Sequence, residues 1–120
     1  MLDIFRRSLK TGIVTSGYPE VPEPAPDVFR GQVLLDTSRC RGTGDCMHAC
    51  PSAAITVTNG DGGGWTWELD DSRCVFCSLC AEACPAVALR LSNEFELAAR
   101  DRAGLVTRVA FKPEDGEAGS

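Results

Sequence analysis

The stretch that decides the fold of this chain reads Cys74-Val75-Phe76-Cys77-Ser78-Leu79-Cys80-Ala81-Glu82-Ala83-Cys84-Pro85. Its spacing, C-x-x-C-x-x-C-x-x-x-C-P, is the bacterial pattern for binding 4Fe-4S clusters. Steps of three residues let one loop place three thiolates around a single cluster, whereas the fourth cysteine ligates the other cluster of a pair. The spacing therefore predicts that Cys74, Cys77 and Cys80 share one cluster and that Cys84 serves a second one.

An earlier part of the chain repeats this pattern in a diverged form. A shift of 34 residues aligns Leu35-Asp36-Thr37-Ser38-Arg39-Cys40 with Leu69-Asp70-Asp71-Ser72-Arg73-Cys74, with five identities in six positions. The same shift aligns the later cysteines of the two runs, Cys46 with Cys80 and Cys50 with Cys84. Self-similarity at a fixed spacing indicates a tandem repeat of one structural unit.

Each copy of the unit is expected to form a strand, a cysteine loop, a short helix after the third cysteine and a second strand. Short apolar and alternating runs indicate the four strands, which are 33–36, 55–57, 65–69 and 89–91. Between the copies, residues 59–64 favour a hairpin or loop, because glycine and asparagine tolerate positive φ. We therefore predict the α+β class and, within it, a bacterial two-cluster ferredoxin-like fold built from a duplicated β-loop-α-β unit.

One ligand is missing from the first copy. Thr43 stands where the shift of 34 residues places Cys77, and a neutral hydroxyl is a poor substitute for a soft thiolate on iron. Because the two copies exchange their fourth ligands, one ligand set is complete and the other is short. The complete set, for a 4Fe-4S cluster, consists of Cys74, Cys77, Cys80 and Cys50. The short set consists of Cys40, Cys46 and Cys84.

The short set leaves three outcomes open. The simplest is a 3Fe-4S cluster, and the others are a 4Fe-4S cluster with water or another non-cysteine ligand and an incomplete site. Zinc is the alternative for the cysteines as a whole, but a zinc site requires neither a third cysteine at the same step nor the Cys-Pro ending. Trp65, Trp67 and Phe76 either shield a cluster from water or belong to ordinary core packing.

Composition narrows the class of protein further. The chain has 120 residues, seven cysteines and a net charge of -5. Clustered cysteines without an export signal favour metal ligation in a reducing compartment. The acidic charge disfavours nucleic-acid binding, which needs a clustered basic surface. The sequence has no apolar run of membrane-spanning length, no phosphate-binding loop and no nucleophile-base pair, so we expect no substrate chemistry of its own.

Three regions are predicted along the chain. Residues 1–30 form a docking helix and a proline-rich arm, residues 31–92 form the two-cluster domain, and residues 93–120 form a C-terminal helix and a flexible tail. The docking helix is amphipathic, with an apolar face of Leu2, Phe5 and Leu9. The prolines that follow it favour an extended arm, because proline fixes φ and lacks a backbone donor.

The predicted C-terminal helix depends on a local capping signal. Asn93 followed by Glu96 has the spacing of a capping box, in which each residue satisfies a free backbone N–H at the start of a helix. The helix is expected to run from about Glu94 to Ala103 and to end at Gly104, and the last eight residues are expected to be disordered.

Several segments outside the ligand pattern are distinctive: Leu9-Lys10-Thr11-Gly12, Thr15-Ser16-Gly17-Tyr18-Pro19, Phe29-Arg30-Gly31, Cys74-Val75-Phe76-Cys77 and Leu91-Ser92-Asn93-Glu94-Phe95-Glu96-Leu97-Ala98. With these segments the chain resembles, over roughly residues 5–100, the two-cluster ferredoxin subunits of formate hydrogenlyase and related membrane-bound nickel-iron hydrogenases. It also resembles their counterpart in respiratory complex I. Two departures stand out: Thr43 replaces a family cysteine, and several members have a longer C-terminal extension.

The resemblance implies an electron-transfer subunit that relays electrons between a donor module and a hydrogenase-like or quinone-reducing module. It also implies partners, namely the other subunits of such an assembly, including a membrane-arm or small iron-sulfur subunit, and a peripheral position on the cytoplasmic side of the cell membrane. The family's cluster ligands correspond to all seven cysteines: Cys40, Cys46, Cys50, Cys74, Cys77, Cys80 and Cys84. The alternative is a freely diffusing seven-iron ferredoxin, against which the N-terminal arm argues, because a docked subunit gains interface by ordering such a segment.

Overall fold

The computed structural model describes residues 1–112, and the predicted disordered tail lies outside them. The helices are α1 (Leu2–Thr11), α2 (Asp45–Ala49) and α3 (Leu79–Ala83), and a 3-10 helix covers Arg102–Leu105. The strands are β1 (Val33–Leu35), β2 (Ile55–Asn59), β3 (Trp65–Asp70), β4 (Leu89–Leu91) and β5 (Val106–Phe111). The class is therefore α+β, with each of the four predicted strands in place to within a residue or two at its ends.

The strands form two antiparallel sheets. In the first, β1 pairs with β4, with Val33 opposite Leu91. In the second, the order is β2-β3-β5, so β3 is the central strand. Trp67 on β3 lies between Val57 of β2 and Val109 of β5, and directly opposed residues place their side chains on the same face of a sheet.

The hairpin predicted at residues 59–64 joins β2 to β3. The N–H of Gly60 donates to the carbonyl oxygen of Gly64 at 2.7 Å, which closes the turn. Gly62 and Gly63 have φ of 83° and 80°, values that glycine adopts without the steric cost a Cβ imposes. The glycines between the copies therefore serve as turn residues.

A small hydrophobic core lies between the sheets and the short helices. Its centre is on β3, where Leu69 has no exposed surface and Trp67 retains 1%. The other buried residues of the cluster are Val33, Ala54, Ile55, Cys80 and Leu89. Burial of one large apolar side chain contributes about 1.5–3 kcal/mol to stability, and this core contains few such side chains. Most of the cysteines border it.

The two copies of the repeat share their local backbone geometry as well as their sequence. The residues that precede α2 and α3 are left-handed, with φ of 78° at Gly44 and 68° at Ser78. The carboxyl groups of Asp36 and Asp70 each accept from the N–H two residues later, both at 3.0 Å. The same turns thus occur at the same repeat positions.

The predicted helix from Glu94 to Ala103 is wrong. Residues 92–101 form no regular helix, and only Arg102–Leu105 winds into a 3-10 helix. The carbonyl oxygen of Glu94 accepts from Gln32 at 3.0 Å, while Phe95 packs against the ring of Phe29 with 6.2 Å between centroids. These contacts with Gln32 and Phe29 hold the segment extended, so tertiary structure overrides the local capping signal.

Strand β5 was missed by the sequence analysis. It adds to the free edge of β3, and Arg108 on β5 donates to the carboxylate of Glu68 across the pair at 2.7 Å. Its side chains alternate, with Val109 and Phe111 half-buried and Arg108 and Ala110 exposed. The alternating run is a strand signal, but the sequence analysis assigned this part of the chain to the C-terminal helix and flexible tail.

Within the described residues, the second half of the N-terminal arm contacts the segment that follows β4. Tyr18 donates a hydrogen bond to Glu96, and its ring lies 5.9 Å from that of Phe95. No residue of α1 is buried, and Leu2, Phe5 and Leu9 keep most of their surface exposed. None of the helices in residues 1–112 is long and apolar enough to cross a membrane.

Candidate iron-sulfur cluster sites

The first candidate site is a cavity that four cysteines line. It has about 330 Å³ of empty space, including the part open to solvent. Its sulfur-bearing residues are Cys50, Cys74, Cys77 and Cys80, the complete set predicted from the spacing. Mostly apolar side chains, including the fully buried Leu69, form the remaining wall, together with Ser52 and Ser78. The structure thus brings together three cysteines of the second copy and one of the first.

The second candidate site is a cavity of similar size, about 340 Å³ with its open part. Cys40, Cys46 and Cys84 line it, and Thr43 lies on the same wall. The thiols of the short set therefore surround one space, together with the threonine that stands in the position of a fourth ligand. All seven cysteines carry free thiols.

Each of the two short helices, together with its C-cap residue, supplies one cysteine to each cavity. In α2, Cys46 in the first turn lines the second cavity, and Cys50 at the C-cap lines the first. In α3 the order is reversed, because Cys80 lines the first cavity and Cys84 lines the second. Since α2 and α3 pack against each other, the cysteines of the two ligand sets lie close together.

Backbone N–H groups point at several of these sulfur atoms. Ala54 donates to Cys50 at 3.3 Å, and Ala88 donates to Cys84 at 3.4 Å. Both donors follow a residue with positive φ, 53° at Ala53 and 51° at Val87. Hydrogen bonds to sulfur stabilise its negative charge, so the turns after each Cys-Pro pair favour the thiolate that a metal requires.

The electrostatic environment resists thiolates in the absence of a cation. Burial, with smaller contributions from the neighbouring Cys74, Cys46 and Cys50, raises the pKa of Cys80 to about 11. Burial likewise raises the pKa values of Cys40, Cys46 and Cys74. Thiols of this kind release their protons when bound iron compensates the charge. The donor set therefore suits cationic, thiolate-ligated centres.

Cys50 differs from the other cysteines. Burial by itself raises its pKa, but hydrogen bonds from the Ser52 hydroxyl and from the N–H groups of Ala54, Ser52 and Ile55 outweigh burial and lower it. The Ser52 hydroxyl lies 3.6 Å from the Cys50 sulfur. The repeat aligns Ser52 with Ala86, so Cys84, the counterpart of Cys50, has no hydroxyl at the equivalent position. Sequence reasoning missed this asymmetry, although the repeat alignment displays it.

The loop at Thr43 follows the same path as the loop at Cys77. Gly42 has φ of 69° and Phe76, its counterpart, has φ of 53°. A Cβ placed on Gly42 would lie 2.5 Å from ring atoms of Trp65, so the indole covers this loop closely. The absence of a fourth thiol therefore results from the side chain at position 43, while the backbone is shaped for a ligand.

Sequence reasoning also missed one link between the arm and the first cavity. The guanidinium of Arg30 donates to the carbonyl oxygen of Cys77 at 3.4 Å. This contact joins residues that are 47 positions apart in the sequence, so no local sequence pattern predicts it. Arg30 thereby places a positive charge beside the loop of the complete ligand set.

Comparisons with known proteins agree with this geometry. Residues 39–88 match the family of the 4Fe-4S dicluster domain. Over 112 residues the chain is 43% identical to formate hydrogenlyase subunit 6 of Escherichia coli (strain K12), with 92% of this chain and 62% of that protein covered. Over 44 residues it is 46% identical to F(420)H(2) dehydrogenase subunit I of Methanosarcina mazei, with 37% of this chain and 25% of that protein covered.

A solved structure is similar as well. The membrane-bound sulfane sulfur reductase, an archaeal respiratory membrane complex, contains a chain that superposes with a TM-score of 0.64 and 32% identity, over 83% of this chain and 55% of that chain. This chain spans 62% of the length of the formate hydrogenlyase subunit. The predicted resemblance to that subunit is confirmed, and the dicluster match contains all seven cysteines.

Proposed function

We propose that this chain is an electron-transfer subunit that relays electrons through two iron-sulfur clusters within a membrane-associated hydrogenase-like or complex I-like assembly. The observation that carries the proposal is the grouping of the thiols: four line one cavity, and three line the other beside Thr43. Similarity to formate hydrogenlyase subunit 6 supports the setting in a complex. The chain itself has no substrate chemistry in this proposal.

The complete set of Cys50, Cys74, Cys77 and Cys80 holds a 4Fe-4S cluster. The short set of Cys40, Cys46 and Cys84 holds a 3Fe-4S cluster, because the Thr43 hydroxyl stays protonated near neutral pH and is too hard a donor for the fourth iron. A 4Fe-4S cluster with a non-cysteine ligand is the alternative for this set. When bound, such clusters accept and release single electrons.

The fold that serves this relay is the duplicated ferredoxin-like arrangement. Matching turns before α2 and α3 support it, as does the pairing of β1 with β4, which joins the first strand of one copy to the last strand of the other. The chain's own residues contribute position and shielding. Because α2 and α3 pack against each other and each helix, with its C-cap, contributes one cysteine to each cavity, the two ligand sets lie side by side, which favours electron transfer between the clusters.

The arm supplies the docking surface. Leu2, Phe5 and Leu9 of α1 retain 79%, 68% and 85% of their surface, which is costly for a free carrier and favourable for a subunit that buries them in an interface. Packing of Tyr18 and Phe29 on Phe95 anchors the base of the arm to the cluster domain. We place the chain at the cytoplasmic side of the membrane, attached through its partner subunits.

The assignment of ligands is tested by a matched pair of variants, Cys50→Ala and Cys84→Ala. Each cysteine follows its own helix and precedes a proline, so the two changes are locally equivalent. We expect Cys84→Ala to abolish the electron paramagnetic resonance signal of the oxidised 3Fe-4S cluster and to spare the signal of the reduced 4Fe-4S cluster. Cys50→Ala has the opposite effect. Loss of the 4Fe-4S signal in Cys84→Ala would contradict the exchange of fourth ligands.

The docking role is tested in the native host with an affinity-tagged full chain. The variant Phe5→Asp with Leu9→Asp adds charge to the apolar face of α1, and Lys10→Gln serves as a control on its polar face. We expect the double variant to lose its co-purifying subunits while it keeps both clusters, and the control to retain them. If the unmodified chain is recovered alone with both clusters, the freely diffusing ferredoxin is the correct function.

A further inference from the structure

The most informative unassigned group is the indole nitrogen of Trp67. The Trp67 side chain is 1% exposed, and within the described residues its Nε1 is buried without a hydrogen-bond partner. A buried N–H that lacks an acceptor destabilises the fold, and buried donors are satisfied in the great majority of cases. An acceptor that is completed only when the cofactor binds would explain this arrangement.

The surroundings of Trp67 identify that acceptor. Trp67 lies opposite Val57 in the β2-β3 pair, so both side chains are on one face of the sheet. Val57 lines the second cavity together with Cys46, and Cys46 packs against the core cluster that contains Trp67. Burial raises the pKa of the Cys46 thiol, and the Met47 N–H and the Trp67 indole partly offset that rise. The Trp67 indole therefore lies close to Cys46 while its Nε1 has no hydrogen-bond partner among the described residues.

We propose that Trp67 donates its indole N–H to the Cys46 thiolate of the bound cluster and thereby raises the reduction potential of that cluster. This inference rests on the proposed function, because it requires a cluster held by Cys40, Cys46 and Cys84. Reduction adds one electron and increases the negative charge on the ligating sulfur, so a donor stabilises the reduced form more than the oxidised form. The proton stays on Nε1 throughout, and no covalent bond changes.

Trp67 acts here as a positioning and tuning residue for one cluster of the two. The first cavity is lined by other residues and does not include Cys46, so the 4Fe-4S cluster is an internal reference in the same molecule. Trp65 is a matched control, since it is the same residue type, two positions earlier on β3, and also borders the loop of the second cavity through Gly42. Its side chain is partly exposed, whereas that of Trp67 is buried.

The test compares Trp67→Phe and Trp65→Phe with the unmodified full chain, after iron and sulfide have been measured in each. Dithionite titration followed by electron paramagnetic resonance gives a midpoint potential for each cluster. We expect Trp67→Phe to lower the reduction equilibrium constant of the cluster at Cys46 about tenfold, a shift of about 59 mV to more negative potential for one electron. The 4Fe-4S potential stays unchanged in both variants. Equal shifts in the two variants, or no shift in Trp67→Phe, would overturn the inference.

A second measurement covers the case in which Trp67→Phe loses its clusters. Pulsed paramagnetic resonance on the Trp65→Phe chain, with its remaining tryptophan labelled with 15N at the indole, detects coupling between that nitrogen and the oxidised cluster. We expect such a coupling, together with one from the exchangeable proton, and their absence overturns the inference. An unmodified chain without iron and sulfide would overturn the proposed function as well, whereas intact clusters with unchanged potentials would refute only the role of Trp67.

Discussion

Replacement of Thr43 by cysteine would restore the missing ligand and convert the 3Fe-4S cluster into a 4Fe-4S cluster. The magnitude follows from the structure. Thr43 lies on the wall of the second cavity with the three thiols. The residues on either side of it, Gly42 and Gly44, have positive φ, as do the residues on either side of Cys77. The new thiol therefore has the backbone that Cys77 has, and Thr43 is exposed, so the change costs little stability, within about 0.5 kcal/mol.

The assay is metal and sulfide content with electron paramagnetic resonance on anaerobically purified protein. Iron should rise from about seven to about eight atoms per chain at constant sulfide, because a 3Fe-4S and a 4Fe-4S cluster differ by one iron. The signal of the oxidised 3Fe-4S cluster should disappear. Thr43→Ser, which keeps a hydroxyl at this position, is the control and should retain that signal. A Thr43→Cys protein that keeps about seven irons and the 3Fe-4S signal would refute the reasoning that position 43 faces the cluster.

Three further predictions follow from the packing. Gly42→Ala should abolish the signal of the cluster in the second cavity, because the new Cβ would lie 2.5 Å from the Trp65 ring. Gly44→Ala is the control and should keep that signal, because Gly44 is also left-handed but a Cβ there would have nothing within 4 Å. Equal loss in both variants would show that the positive φ alone matters. Leu69→Ala should destabilise the protein by about 2–5 kcal/mol, measured by thermal unfolding, since Leu69 has no exposed surface; Leu79→Ala, at a 44% exposed position, should cost clearly less. Removal of both clusters by acid and chelator should lower the unfolding temperature by more than Leu69→Ala does, because metal binding contributes directly to folding in small domains, and an unchanged temperature would contradict that structural role.

Sequence reasoning succeeded where a local pattern and the fold agree. The short apolar and alternating runs predicted the four strands of the two copies, and the structure places the cysteines of each predicted ligand set around one cavity. It failed at residues 94–103, where the capping signal of Asn93 and Glu96 is real but weaker than the contacts of Glu94 with Gln32 and of Phe95 with Phe29. A capping box contributes of the order of 1 kcal/mol, and long-range packing exceeds that.

At the candidate site too, features that depend on local spacing could be predicted from the sequence, and features that depend on long-range contacts could not. The predicted ligand sets follow from local spacing in the sequence, whereas the environment of each cysteine depends on residues that are distant in the chain. Trp67 of β3 lies close to Cys46 of α2, and Arg30 of the arm donates to the carbonyl oxygen of Cys77. Neither contact has a sequence signature, because each depends on strand register and on the path of the arm. These distant contacts also distinguish the two cavities electrostatically.

Iron and acid-labile sulfide analysis, combined with electron paramagnetic resonance on the unmodified chain, tests the central claim of two clusters with unequal ligand sets most directly. The ligand sets predict about seven irons per chain, an oxidised 3Fe-4S signal in the protein as purified, and a reduced 4Fe-4S signal after dithionite. A count of about eight irons without the 3Fe-4S signal would contradict the unequal sets. Zinc without sulfide would contradict the electron-transfer function altogether.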